Sequence, residues 1–339
     1  MIEIKVSSGK PEFTSLLVRQ LPSGKPVWGD CRFHVNSEIN SCDWWFVLHG
    51  TSLEEEQRTY CDPRNIVYVS MEPYETYPPR FYSQFQTLIA CDPGLSHPSI
   101  IRKNFITWWV GISVQFKSGH VFSPCCNMNY NDLASFQSPQ KQNKVSIVTS
   151  SNASLSGHKK RLRFIEFLMS SHLSSSVDFY GGGHNPVLDK LDAIAPYKYH
   201  LCLENSVIDN YWTEKIADAF LGLSLPIYHG CPNIQSYFDP ESFISIDIED
   251  PPATLDVIAA ALERDEHSLR YDSILRSRDM VLNDYNIFNL MSKFATAPSE
   301  RRELCVLLPP DQFSGVRPGL ITRTASRVRS LKNKLFGES

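Results

Sequence analysis

Tyr199-His200-Leu201-Cys202-Leu203-Glu204, a loop running to Tyr211, the stretch Thr213 to Leu223 and then Leu225-Pro226-Ile227-Tyr228 spell out a strand, a helix and a second strand. Apolar residues at every second position mark the first strand, and the longer run after Thr213 carries a helical period. Upstream the same unit occurs: Val145-Ser146-Ile147-Val148 begins a strand, Lys159 to Met169 is helical, and a strand near Val177 to Tyr180 ends at Gly181-Gly182-Gly183 before a helical patch to Ala195. Further upstream, Trp44-Trp45-Phe46-Val47-Leu48, Ile66-Val67-Tyr68-Val69 and Thr87-Leu88-Ile89-Ala90 are short apolar runs, each closed by turn residues. Strands alternating with helices predict parallel sheets covered on both faces, so the fold class is α/β.

At 339 residues the chain exceeds what one core organises, and two domains are expected. The polar run Ser135 to Asn143 predicts the linker, giving an N-terminal domain over 1–140, a second over 141–310 and a tail over 311–339. Hydrophobic residues make up 42% of the chain and charged ones 21%, enough apolar surface for large cores and against pervasive disorder. Thirty-three Lys and Arg against 37 Asp and Glu leave a net charge of -4, which provides no global basic field for nucleic acid. No run reaches the ~18 apolar residues of a membrane-spanning helix, and Met1 to Ser8 alternates like a strand, so no secretion signal is visible. The nine cysteines are scattered without a CxxC pair, which favours reduced thiols in a cytoplasmic protein over a disulfide framework or zinc.

In open parallel sheets ligands bind beyond the carboxyl ends of the strands. Two such turns carry cations: His158-Lys159-Lys160-Arg161-Leu162-Arg163 opens the helix after Val148, and Lys215 opens the one after Glu204. Cations at the positive end of a helix dipole are unfavourable until an anion joins them, so the pair suggests a diphosphate clamp. No GxxxxGK[ST] or GxGxxG spacing occurs, which disfavours a P-loop triphosphatase and a dinucleotide fold. Gly181 to Gly183 reads as a tight turn needing positive φ. No DxD triplet is present, Asp247-Ile248-Glu249-Asp250 being the nearest, and metal dependence is not expected.

Tyr197 through Ser206 followed by Tyr211-Trp212-Thr213-Glu214-Lys215 resembles the donor signature of the α1,3/4-fucosyltransferases, glycosyltransferase family 10. The likeness continues through Leu225 to Pro232 and Phe238 to Asp247, more loosely through Val145 to Gly183, and faintly before that. The resemblance implies two facing Rossmann-like domains (the GT-B architecture) and an inverting transfer of L-fucose from GDP-fucose to a saccharide acceptor, with no catalytic metal or other cofactor. It places Asn205, Tyr211, Glu214 and Lys215 at the donor, Lys215 on the diphosphate and Glu214 on sugar or ribose hydroxyls. Ser150 joins them, and Arg161 matches the second phosphate cation, with Lys160 and Arg163 as neighbouring alternatives.

An inverting displacement needs a base opposite the leaving group. Val69-Ser70-Met71-Glu72 resembles the family's strand-ending glutamate, which makes Glu72 the catalytic candidate, although Pro73 replaces a polar residue of the family pattern. His49, Glu75 and Asp92 are the other strand-end polar groups and read as structural. One tryptophan of Trp44-Trp45 and one of Trp108-Trp109 is expected in a core, with a sugar ring as the alternative role. In the tail, Ile321, Ala325, Val328, Leu331 and Leu335 share a helical stripe among Arg323, Arg327, Arg329, Lys332 and Lys334. A basic amphipathic helix of this kind would touch an anionic membrane surface through residues 320–336, placing the chain at the periphery of a membrane. The alternatives are the same fold with another nucleotide sugar, a non-catalytic glycan- or nucleotide-binding module, and an interaction scaffold.

Overall fold

The computed structural model describes residues 1–9, 14–49, 53–74, 77–117, 121–150, 153 and 156–313. In chain order the strands are β1 Ile2–Ser7, β2 Val27–Trp28, β3 Cys31–Val35, β4 Trp44–Leu48, β5 Gln57–Cys61, β6 Ile66–Val69, β7 Thr87–Ile89, β8 Ile100–Ile101, β9 Ile112–Lys117, β10 Val121–Cys126, β11 Gln142–Thr149, β12 Val177–Gly181, β13 Tyr197–Leu203, β14 Leu225–His229, β15 Ile244–Ser245 and β16 Glu303–Leu307. The α-helices are α1 Thr14–Val18, α2 Pro79–Tyr82, α3 Tyr130–Ala134, α4 Ser156–Met169, α5 Lys190–Ile194, α6 Glu214–Leu221, α7 Pro251–Arg264, α8 Glu266–Leu269, α9 Tyr271–Leu282 and α10 Ile287–Phe294. The expected α/β alternation is present in both halves of the chain.

One compact unit holds Met1–Thr107, Asn129–Asn131 and the described residues from Leu282 onward. Its seven-stranded sheet has the order β2-β3-β1-β4-β6-β7-β8, parallel except where β2 runs against β3. The continuous apolar run of β4 serves both faces: Phe46 and Leu48 enter one core with Phe288 and Met291 of α10, while Trp45 and Val47 enter another with Tyr68, Phe81 and Leu307. Strand β16 pairs antiparallel with β5.

The second unit holds Trp108–Met128 and Asp132–Val281. Its five strands run in the order β12-β11-β13-β14-β15, all parallel. Gly181 ends β12 at φ +91°, and a Cβ there would lie 2.1 Å from the Thr149 carbonyl oxygen, so the glycine run is the tight turn that the sequence suggests.

The expected borders at 140 and 310 differ from this division. The chain passes into the second unit at Trp108, and residues 282–313 rejoin the first. The run Ser135 to Asn143 is polar because it lies largely exposed. The core partner of α10 lies at Phe33 and Phe46, some 250 residues upstream, where no local pattern reveals it. The expected amphipathic helix and its membrane contact, from residue 314 onward, lie outside the described residues, as does Glu75. No helix of the described residues is long and apolar enough to cross a membrane.

Candidate functional site

Strand order reverses in the second unit between β11 and β13, since β12 lies on one side of β11 and β13 on the other. A parallel sheet leaves a crevice at the carboxyl ends of such a strand pair. A cavity of about 30 Å³ sits there, lined by Ile147 and Val148 of β11, by His200, Leu201 and Leu203 of β13, by Ile194, and by Arg161, Lys190, Lys215 and Asp218. It has room for about two waters. It can therefore read one charged group, not enclose a whole nucleotide sugar.

Arg161 reaches the cavity from α4. The helix approaches the end of β13 closely because residue 157 is glycine: a Cβ there would stand 1.9 Å from the Asn205 carbonyl oxygen. The guanidinium donates to the Asn205 side-chain oxygen at 2.5 Å and to the carbonyl and hydroxyl oxygens of Ser150 at 3.2 and 3.3 Å. All three acceptors are neutral. Arg161 is 5% exposed, its Nε has no partner, and it forms no ion pair among the described residues. Burial pulls it down to about 10, opposed by the charge of Glu204, and it remains a cation at pH 7. Lys160 instead pairs with Glu249 at 2.9 Å in solvent, and Arg163 is exposed, so Arg161 alone of the three alternatives faces inward.

Lys215 stands in the first turn of α6, whose N-cap is Thr213. Its ammonium contacts Glu204 at 3.0 Å, the Thr213 hydroxyl at 3.1 Å and Glu214 at 3.6 Å. The Glu204 side chain is wholly buried and also accepts from the Thr213 amide at 2.8 Å. Burial pushes its carboxyl up, and the neighbouring Lys215 pulls it back. Lys190, at the start of α5, lies 3.2 Å from Asp218 and 3.6 Å from Glu214. Burial raises Asp218 to about 6 against the pull of Lys190. His200 shares a 2.8 Å hydrogen bond with the Ser146 hydroxyl, and burial lowers it to about 3.

The fold thus brings Arg161, Asn205 and Ser150 into one cluster and Glu214 and Lys215 into another, with both cations on one cavity. Tyr211 is buried in the turn before α6 and does not line the cavity. Glu72 belongs to the first unit, half-buried after β6, where its carbonyl accepts from the Ser70 hydroxyl at 2.9 Å. His49 has φ +75°, consistent with a turn residue, and Asp92 accepts from the Gly94 amide at 2.8 Å. Trp45 and Trp108 are the core members of their pairs. Glu249 is engaged by Lys160, and Asp250 caps α7 through the Ala253 amide at 3.2 Å. Among the described residues no group of three His, Cys, Asp or Glu side chains converges in a way that would hold a metal ion.

The sequence did not single out Glu204, Lys190, Asp218 or His200 for a role. Glu204 lies inside the quoted signature, directly after β13. Lys190 is one lysine among many until the fold places it between two acids of α6.

Residues 138–297 match the model of the C-terminal domain of glycosyltransferase family 10 (fucosyltransferase). The alpha-(1,3)-fucosyltransferase FucT of Helicobacter pylori is 41% identical over 64 residues, covering 19% of this chain and 13% of that protein. The 4-galactosyl-N-acetylglucosaminide 3-alpha-L-fucosyltransferase FUT6 of Homo sapiens is 31% identical over 124 residues, 35% of this chain and 33% of that protein. These matches span a third or less of the relatives' own length. A crystal structure of an alpha1,3-fucosyltransferase with GDP-fucose superimposes at a TM-score of 0.44 and 20% identity, covering 83% of this chain and 90% of that one. Residues 138–297 are thus similar to the C-terminal domain of glycosyltransferase family 10.

Proposed function

We propose that this chain is an inverting glycosyltransferase that moves L-fucose from GDP-fucose to a hydroxyl of a saccharide acceptor. One observation carries the proposal: a buried arginine at the sheet's switch point has only neutral partners among the described residues. A desolvated cation with no carboxylate in direct contact is costly, and a phosphate oxygen is the group that would complete it. The family match over 138–297 and the activity in the relatives' names support the sugar nucleotide as the source of that phosphate.

In this scheme the acceptor oxygen attacks the anomeric carbon, the bond from that carbon to the phosphate oxygen breaks, and the electron pair leaves with GDP. Charge growing on the β-phosphate is met by Arg161 and Lys215, which stabilise the transition state more than the ground state. Glu214 binds sugar or ribose hydroxyls, and Asn205, Ser150 and Tyr211 complete the donor site. Glu72, of the first unit, accepts the acceptor proton. Two fixed cations would do the work that a divalent ion does elsewhere, so chelators should not alter the rate.

Mixing the protein with GDP-fucose and a panel of lactosamine-type acceptors, with and without EDTA, tests this through the product masses. A mass gain of one deoxyhexose, unchanged by EDTA, is expected. GDP binding without transfer to any acceptor would reassign the chain to a non-catalytic binding module, and transfer only from UDP- or dTDP-sugars would change the donor. A peripheral, cytoplasmic-side membrane contact of residues 320–336 is proposed from their sequence alone; flotation with anionic vesicles, comparing the full chain with one ending at Pro318, tests it, and equal binding rejects it.

A further inference from the structure

Five side chains of alternating charge run across the second unit: Glu204, Lys215, Glu214, Lys190 and Asp218, each within 3.6 Å of the next. The two ends are buried completely or nearly so, and the middle three are partly exposed. Asp218 does more than close the chain. Its Oδ1 accepts from the backbone amides of Trp109 and Val110 at 2.9 and 3.3 Å, while its Oδ2 takes the Lys190 ammonium at 3.2 Å. The adjoining Gly111 amide donates at 2.9 Å to Asp189, the N-cap of the helix that Lys190 opens. Three consecutive amides are therefore strapped by the two carboxylates that flank Lys190.

Glu214 and Asp218 are one turn apart on α6 and repel each other. Lys190, from a different helix, reaches both. We propose that Lys190 is a positioning residue of the donor site, fixing Glu214 by bridging it to the buried Asp218 that straps the amides of Trp109 and Val110. Without it Glu214 keeps its 3.6 Å contact with Lys215 and loses the bridge to Asp218. The proposal deepens the donor reading above and rests on it for Glu214's role.

The test compares wild type, Lys190→Met and Lys190→Arg. GDP affinity is measured by calorimetry, the Michaelis constant and turnover for GDP-fucose by product mass, and amide exchange at Trp109 and Val110 without ligand. Lys190→Met should weaken GDP and raise the Michaelis constant about tenfold, the loss expected for one bridging charge in a partly buried network, with a smaller change in turnover. Its Trp109 and Val110 amides should exchange faster, and Lys190→Arg should recover most of both effects. Unchanged GDP affinity and unchanged exchange in a folded Lys190→Met overturn the proposal, as does equal loss in the arginine variant, which marks a purely structural lysine. Wild type that fails to bind GDP sinks the donor reading itself; wild type that binds while Lys190→Met binds equally sinks this inference alone.

Discussion

The Arg161 guanidinium and the Asn205 side-chain oxygen meet at 2.5 Å, joining the helix that follows β11 to the loop that follows β13 across the point where strand order reverses. The contact holds a buried positive charge against a neutral dipole. That is weak compensation for lost hydration.

Replacing that charge separates stability from binding. Arg161→Met should leave the free protein within about 1 kcal/mol of wild type, because removing a buried cation that forms no direct ion pair among the described residues offsets the lost hydrogen bonds to Asn205 and Ser150. Saturating GDP should raise the melting temperature of wild type and raise that of Arg161→Met by less. Thermal scans with and without GDP check both statements, and an equal ligand-induced rise in the two proteins counts against Arg161.

Gly157 sets the approach of α4 to the Asn205 loop. Gly157→Ala puts a methyl 1.9 Å from a backbone oxygen that no side-chain rotation can clear. Helix and loop must separate, which should cost about 3 kcal/mol in urea unfolding and loosen the Arg161 contact as well. A variant as stable as wild type would show that the helix start shifts freely.

His200 titrates at about 3 when folded and near 6.5 when unfolded. Its folded value is depressed, so between pH 6.5 and about 3 the unfolded chain holds a proton that the folded chain does not, and stability falls as the solution is acidified through that window. Above pH 6.5 the residue contributes nothing to the pH slope. Asp218, raised to about 6, works in the opposite direction below that pH, and it is present in both proteins of a comparison. Going from pH 7 to 5, wild type should therefore lose about 2 kcal/mol more than His200→Gln. Denaturant melts at the two pH values measure the difference, and parallel behaviour would mean that His200 is protonated in the folded state.

Glu72 should behave differently from the cations. Glu72→Gln keeps the size of the side chain and removes the base, so transfer should drop by about 100-fold or more while GDP affinity stays unchanged. Single-turnover rates and calorimetry on one preparation check this, and joint loss of rate and affinity would make Glu72 structural.

The second unit was readable because its strands are short apolar runs closed by polar turns, and because the donor signature lies on one strand-loop-helix step, β13 to α6. Arg161 and Lys215 could be paired in advance because each lies in the first two turns of the helix after a central strand. Lys190 and Asp218 could not, since their meeting depends on how α5 packs beside α6, a tertiary contact with no fixed spacing. The domain borders failed for the same reason: α10 and β16 are complementary to strands some 240 residues away, while Ser135 to Asn143 has the composition of a linker simply by being exposed.

Titration of GDP into wild type, Arg161→Ala and Lys215→Ala at 50 and 300 mM salt is the decisive measurement, the two concentrations chosen to bracket strong and weak screening at roughly 14 and 6 Å. Wild type should bind GDP, and each alanine variant should lose at least about tenfold in affinity, with a shallower salt dependence than wild type. Equal affinities across the three proteins, or no binding by wild type, would show that the two cations do not hold a nucleoside diphosphate.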